Sequence, residues 1–177
     1  VHLPPYDTRA TILQLREVIE ASKPSRLVLL GDSFHDCGAL ERIALDDLKS
    51  LNSISTEIET LWLSGNHDSE IRDLPGATAV SAALGPVTLR HIPETLGEGE
   101  FEIAGHFHPA HAVVQRGRRL RCKCFAASSA RILMPAFGSF TGSLDISSAP
   151  VAALFPGQLD VFMLGQNAVH KVAYGKQ

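Results

Sequence analysis

Four short stretches carry residue types that bind metal ions or move protons. They are Asp32 in "GDSFHD", Asn66-His67-Asp68 in "GNHD", His91 in "RH", and His106 and His108 in "GHFH". Each follows a short apolar run. Charge at the end of a buried strand is costly unless it is paired or holds a metal. Mixed carboxylate, amide and imidazole donors suit Mn, Fe or Zn better than an all-cysteine structural site. Taken singly, each has a structural reading: Asp32 as a helix cap, Asn66-His67 as a turn, His91 as a satisfied core histidine. Four such stretches in this order are hard to obtain from turn chemistry.

The elements that must position them follow from periodicity. "PPYDTRATILQLREVIEAS" reads as a loop, then a helix with Asp7 as N-cap and Ile12, Leu15, Val18 and Ile19 as its apolar face, closed by Lys23-Pro24. "RLVLL" is a continuous apolar run, as in a strand buried on both faces. A second helix is expected within residues 39–56. "ETLWLSGNHD" repeats the design, a short apolar strand and then Gly and polar residues; "PVTLRHIP" is another strand ending in His91, and "FEIAGHFHP" another ending in a Gly-His pair. The glycines before Asp32, Asn66 and His106 are expected to take the sharp turns. Beyond them, "AHAVVQRGRRLRCKCFAAS" reads as a hairpin turning at Arg116-Gly117, and "RILMPAFG", "DVFMLG" and "AVHKVAY" as short strands. Helix and strand alternate in the first half and strands dominate the second. The expectation is one compact α/β domain over residues 1–177, with two packed sheets and outer helices. Ligands in open α/β sheets gather at the carboxyl ends of strands, where all four polar stretches fall.

Composition excludes several classes. The chain has 177 residues, 45% of them hydrophobic, which suits one globular domain. No apolar run approaches the roughly 20 residues of a membrane span. "VHLPPYDTRA" has prolines and charges where a secretory signal needs an apolar core. The net charge of −3 excludes a generally basic nucleic-acid binder, so such contacts need a local patch. Three cysteines without framework spacing suit reduced thiols in a cytoplasm. "RCKC" is not a zinc-knuckle spacing.

The order of the polar stretches resembles the calcineurin-like metallophosphoesterases, whose signature runs D-x-H, G-D-x-x-D, G-N-H-D/E, a lone His, then G-H-x-H. "LPPYDTRAT", "GDSFHD" and "PAFGSFTG" look like the PdeM subfamily, bacterial ligase-associated DNA-damage-response endonucleases. The resemblance implies a four-layer α/β/β/α sandwich. It implies two divalent metal ions, Mn foremost with Fe or Zn as alternatives, held by Asp32 as the bridge and by Asn66, His91, His106 and His108. By that resemblance the residues would hold two ions able to activate a water for attack on phosphorus. His67 serves the transition state or the leaving group, and Asp68 orients its ring. The family's acid three residues after the bridging Asp is His35 here. Asp36 follows it and is read as an orienting group, while His35 either touches substrate or supports a ligand. The D-x-H block has no counterpart in "VHL" and is expected on a segment preceding Val1. DNA is the implied substrate, a DNA ligase and a helicase of a repair gene cluster are the implied partners, and a homodimer is compatible.

"RGRRLRCK" places five positive charges in eight residues at the hairpin. Arg116, Arg118, Arg119 and Arg121 could track a DNA backbone, or form a solvated turn. His111 and His170 read as structural. Two further functions stay open: hydrolysis of a nucleotide or other small phosphoester, and a metal-poor interaction scaffold.

Overall fold

The computed structural model describes residues 6–34, 38–67, 73–138 and 141–175. Two compact units are present. The first contains the described residues up to Ala82 together with Phe137 and Gly138. The second contains Ala83–Ala136 and the described residues from Thr141 onward.

The first unit opens with α1 (Tyr6–Ser22) and β1 (Arg26–Leu29), then α2 (Ala39–Arg42), α3 (Leu45–Glu57), β2 (Glu59–Leu63) and β3 (Ala77–Ala79). Its sheet is parallel, ordered β1-β2-β3, with Val28 opposite Leu61 and Trp62 opposite Thr78. Parallel strands need a crossover, which α2 and α3 supply between β1 and β2. Ile12, Leu51, Ile54 and Trp62 form the core, with Leu15, Ile19, Leu27, Leu29, Phe34 and Leu74 packed against it. Arg9 Nε donates to Asp47 Oδ1 at 3.0 Å and joins α1 to α3.

Three expectations need correction here. The helix begins at Tyr6, so Asp7 lies in its first turn instead of capping it. Val18 is exposed, because positions 12, 15 and 19 already define the stripe that meets the core. β1 is half-buried and not enclosed on both faces: among the described residues it pairs only with β2, which is the central and more buried strand. The other expected elements are found, with the second helix broken in two at Ile43-Ala44.

The second unit is built on a nine-stranded sheet. Its strands are β4 (Ser81–Leu84, of which Ser81 and Ala82 count with the first unit), β5 (Val87–Arg90), β6 (Phe101–Ala104), β7 (Pro109–Gln115), β8 (Arg118–Ala127), β9 (Arg131–Leu133), β10 (Leu144–Asp145), β11 (Asp160–Leu164) and β12 (Val169–Val172), with α4 (Ala149–Ala152) between β10 and β11. The main path runs β10-β7-β8-β9-β6-β5-β4, and β11 joins β8 to β12. β5, β6 and β9 are parallel, so β5 and β6 present their carboxyl ends side by side, with Arg90 opposite Ala104. Ala104, Cys124, Ala126, Leu133, Ile146, Val151, Phe155 and Val161 are the centre of the core. β7 and β8 form the expected hairpin, with Gln115 opposite Arg118. Its two-residue turn has φ 51° at Arg116 and 74° at Gly117, the signs that suit the twist of a tight hairpin.

Gly76, ahead of β3, has φ 114°, and a Cβ there would stand 2.7 Å from the Thr60 carbonyl oxygen and 3.0 Å from Trp62 Nε1. That nitrogen donates to the Pro75 carbonyl at 2.9 Å. Gly76→Ala is therefore expected to destabilise the protein by about 1–3 kcal/mol, through strain and a displaced Trp62. A thermal melt followed by Trp62 fluorescence checks this, and an unchanged midpoint would contradict it.

Candidate metal centre

In the first unit the chain turns abruptly after β1. Gly31 has φ 82° and Asp32 has φ 49°. Asp is one of the few residues that enters the left-handed region readily. The turn aims the carboxylate at the loop after β2, where Asp32 Oδ1 accepts the His67 backbone N–H at 2.9 Å. The start of that loop is held by Ser64 N–H donating to the Ala79 carbonyl at 2.9 Å. Asn66 and His67, in that loop, are exposed. The two strand-end stretches of this unit are thus joined by one charged acceptor. His35, Asp36 and Asp68 lie outside the described residues.

In the second unit His91 follows β5 and is 3% exposed. Its Nε2 stands 3.2 Å from His106 Nδ1, with the rings edge to face at 81°. Its carbonyl accepts the Gly105 N–H at 3.0 Å, which ties the ends of β5 and β6 together. At His106 the Phe107 N–H donates to the Gly105 carbonyl at 2.8 Å and φ is 67°. A three-residue turn of that sign is rare and strained. Phe107 packs into the core, and His108, with φ 47°, is half-buried. The expected glycine turns hold at Gly31 but not elsewhere: Gly65 and Gly105 lack positive φ, and His106 and His108 carry the left-handed conformation themselves.

The His91–His106 pair fits a divalent cation. Two nitrogens sharing one tetrahedral ion at 2.0–2.1 Å each stand roughly 3.3 Å apart. The His91–His106 separation of 3.2 Å therefore needs little change to admit an ion. Carboxylate and amide oxygens from Asp32 and Asn66 are the hard donors that Mn also accepts.

The remaining candidates are placed differently. Arg116, Arg118 and Arg119 are exposed at the hairpin turn. Arg121 donates twice to Ser143, to its hydroxyl at 2.6 Å and its carbonyl at 3.1 Å. Lys123, on the same face of β8, donates to the Ala136 carbonyl at 2.9 Å and to Thr141 Oγ1 at 3.2 Å. His111 meets Tyr174 edge to face at 5.5 Å, and His170 is exposed on β12. Sequence reasoning missed Glu102 and Arg131, buried opposite one another on β6 and β9. A Glu inside the otherwise apolar run "FEIA" was the available signal, since a lone charge is rarely buried without a partner.

The chain matches no protein-family model and no curated protein. Its fold is mixed α/β with two sheets and helices, of the metallophosphoesterase type that the motifs led us to expect. It is similar to the crystal structure of Pseudomonas putida nuclease MPE, with 27% identity and a TM-score of 0.73, over 93% of this chain and 78% of that one. A second similar structure is YfcE, a phosphoesterase from E. coli, at 18% identity and a TM-score of 0.42, over 93% of this chain and 86% of that one. Among the described residues no helix is long and apolar enough to cross a membrane.

Cys122 and Cys124 are free, and burial, then the charge of Asp145, push the Cys124 thiol from 9.0 up to about 12. A thiol held there is protonated near neutral pH. Raising a folded-state pKa stabilises fully below the unfolded value, and the contribution fades as pH rises through the folded one. We expect Cys124 to resist a thiol reagent at pH 8 until denaturant is added. Stability measured by denaturation should fall as pH climbs from 9.0 toward about 12. Rapid native modification of Cys124 would contradict this.

Proposed function

We propose that the chain is a metal-dependent phosphodiesterase that cleaves DNA, of the PdeM kind, acting in repair in the cytoplasm. The likeness to nuclease MPE over 93% of the chain carries this reading. The strand-end chemistry supports it. Asp32 and Asn66 on the first unit, and His91, His106 and His108 on the second, are the proposed ligands of two divalent ions, Mn foremost. Bound there, the ions would supply Lewis-acid activation of water and of the phosphate. The chain's own residues do the rest. Asp32 holds the loop of Asn66 and His67 through the His67 N–H. The exposed His67 imidazole donates a proton toward the leaving oxygen, with Asp68 proposed to orient it. His91, buried, holds its Nε2 3.2 Å from His106 Nδ1. A DNA ligase and a helicase are the proposed partners, with a homodimer compatible.

Asp32→Asn tests the metal reading. It is expected to reduce phosphodiester hydrolysis to background and to lower the bound manganese found by elemental analysis. Wild-type turnover in this variant would overturn the proposal.

Arg116, Arg118, Arg119 and Arg121 are the proposed phosphate contacts, with Arg121 also donating to Ser143. Replacing Arg118 and Arg119 with Ala should weaken DNA binding. Each lost phosphate contact should flatten the salt dependence by about 0.9 in log–log slope. Hydrolysis of a small chromogenic phosphodiester should be unchanged. Equal loss on both substrates would assign the hairpin to the fold, and no loss on either would leave it a solvated turn.

A further inference from the structure

The search outside the ligand stretches leads to a group of charges that the proposed chemistry does not use. Glu102, on β6, is 1% exposed, and Arg131, opposite it on β9, is 7% exposed. Arg131 Nε donates to Glu102 Oε1 at 2.5 Å. The other two guanidinium nitrogens go elsewhere, one to the Leu154 carbonyl at 2.7 Å and one to the Glu94 carbonyl. Glu102 Oε2 accepts the Glu94 backbone N–H at 3.3 Å. The same oxygen lies 3.4 Å from Arg90 Nε, and a second Arg90 nitrogen pairs with the Glu94 carboxylate.

The pattern has a consequence for His91. Both backbone groups of Glu94 are held by this one ion pair, its N–H by the carboxylate and its carbonyl by the guanidinium. At the other end of the segment, Arg90 is the last residue of β5 and faces the same carboxylate. His91 lies between these two fixed points, on a stretch of three residues, His91-Ile92-Pro93, with Pro93 further limiting the backbone. We propose that Glu102, acting with Arg131, is a positioning residue that fixes the His91 ring for metal binding. This rests on the reading of His91 as a metal ligand. The pair is poor value as a stability device alone, since well-packed apolar residues of similar volume often serve as well. What an apolar pair cannot do is bond both the N–H and the carbonyl of Glu94.

Groups that orient metal ligands typically change metal affinity 10–100-fold when removed. The test is titration calorimetry of manganese into the full chain, with a thermal melt of each variant. Glu102→Gln keeps the shape and removes the charge. Glu102→Leu combined with Arg131→Met removes both charges and supplies a folded variant should the first one fail to fold. Both are expected to weaken manganese binding by about 10–100-fold. Val161→Ala, a core truncation in the same sheet, is expected to lower the melting temperature with manganese affinity unchanged. With cobalt as a second probe, the visible absorption band of the Glu102 variants should shift from that of the wild type. Unchanged manganese affinity in a folded Glu102 variant overturns the proposal, as does an equal loss in Val161→Ala. His91→Ala separates the two layers. If it abolishes manganese binding at this site while the Glu102 variants do not, only the positioning role fails. If it leaves manganese binding intact, the ligand reading fails and the positioning role with it.

Discussion

Glu102 and Arg131 form a charged pair inside the nine-stranded sheet, and such a pair persists only where its remaining donors and acceptors are also met. Meeting them requires partners from the end of β5, from the segment before β6 and from the residues after α4. One ion pair therefore fixes how three neighbouring pieces of chain approach β6 and β9. Breaking one member would leave the other charged and buried, at a cost of roughly 3–5 kcal/mol. The arrangement is consequently demanding: it is stable as a whole and poor in intermediate forms.

Of the six described non-glycine residues with positive φ, three are candidate ligands. Asp32, His106 and His108 all have positive φ, and two of these three are residue types with a side-chain ring. Residues held in such conformations cost on the order of 1–3 kcal/mol each and persist only where the surroundings over-determine them. The surroundings here are identifiable. The Asp32 carboxylate is anchored by the His67 N–H, and Phe107 is seated in the core between the two histidines. The His91 carbonyl holds Gly105, so the strained turn at His106 begins from a fixed point. A site whose ligands are oriented before any ion arrives loses less entropy when it binds one.

The basic run on the hairpin divides by strand geometry. Alternation along β8 puts Arg119, Arg121 and Lys123 on one face and Leu120, Cys122 and Cys124 on the other. The second face meets the core. On the first, Arg121 and Lys123 reach back to Ser143, Ala136 and Thr141, while Arg119 stays exposed near the turn. Five charges that look equivalent in a row are thus of two kinds: staples for a neighbouring loop near the base, and solvated cations at the tip.

By itself the sequence determined the elements and the residue types at their ends. Apolar runs of four or five residues, the helical stripe of Ile12, Leu15 and Ile19, and the Arg116-Gly117 turn are local signals, because each depends on chain period or on φ preference. For the same reason the strand-end Asp, Asn and His residues were legible before any fold was known. Only the tertiary structure decided which of them meet. The His91–His106 pairing depends on β5 and β6 being parallel and in register, and register is set by which faces the core buries. It also decided that the left-handed turns fall on His106 and His108 instead of the glycine before them, since the core's hold on Phe107 overrides local preference. The partnership of Glu102 with Arg131 joins residues 29 positions apart, and no local rule reaches that far. A lone charge in an apolar run announces that a partner must exist; only packing can say which residue it is.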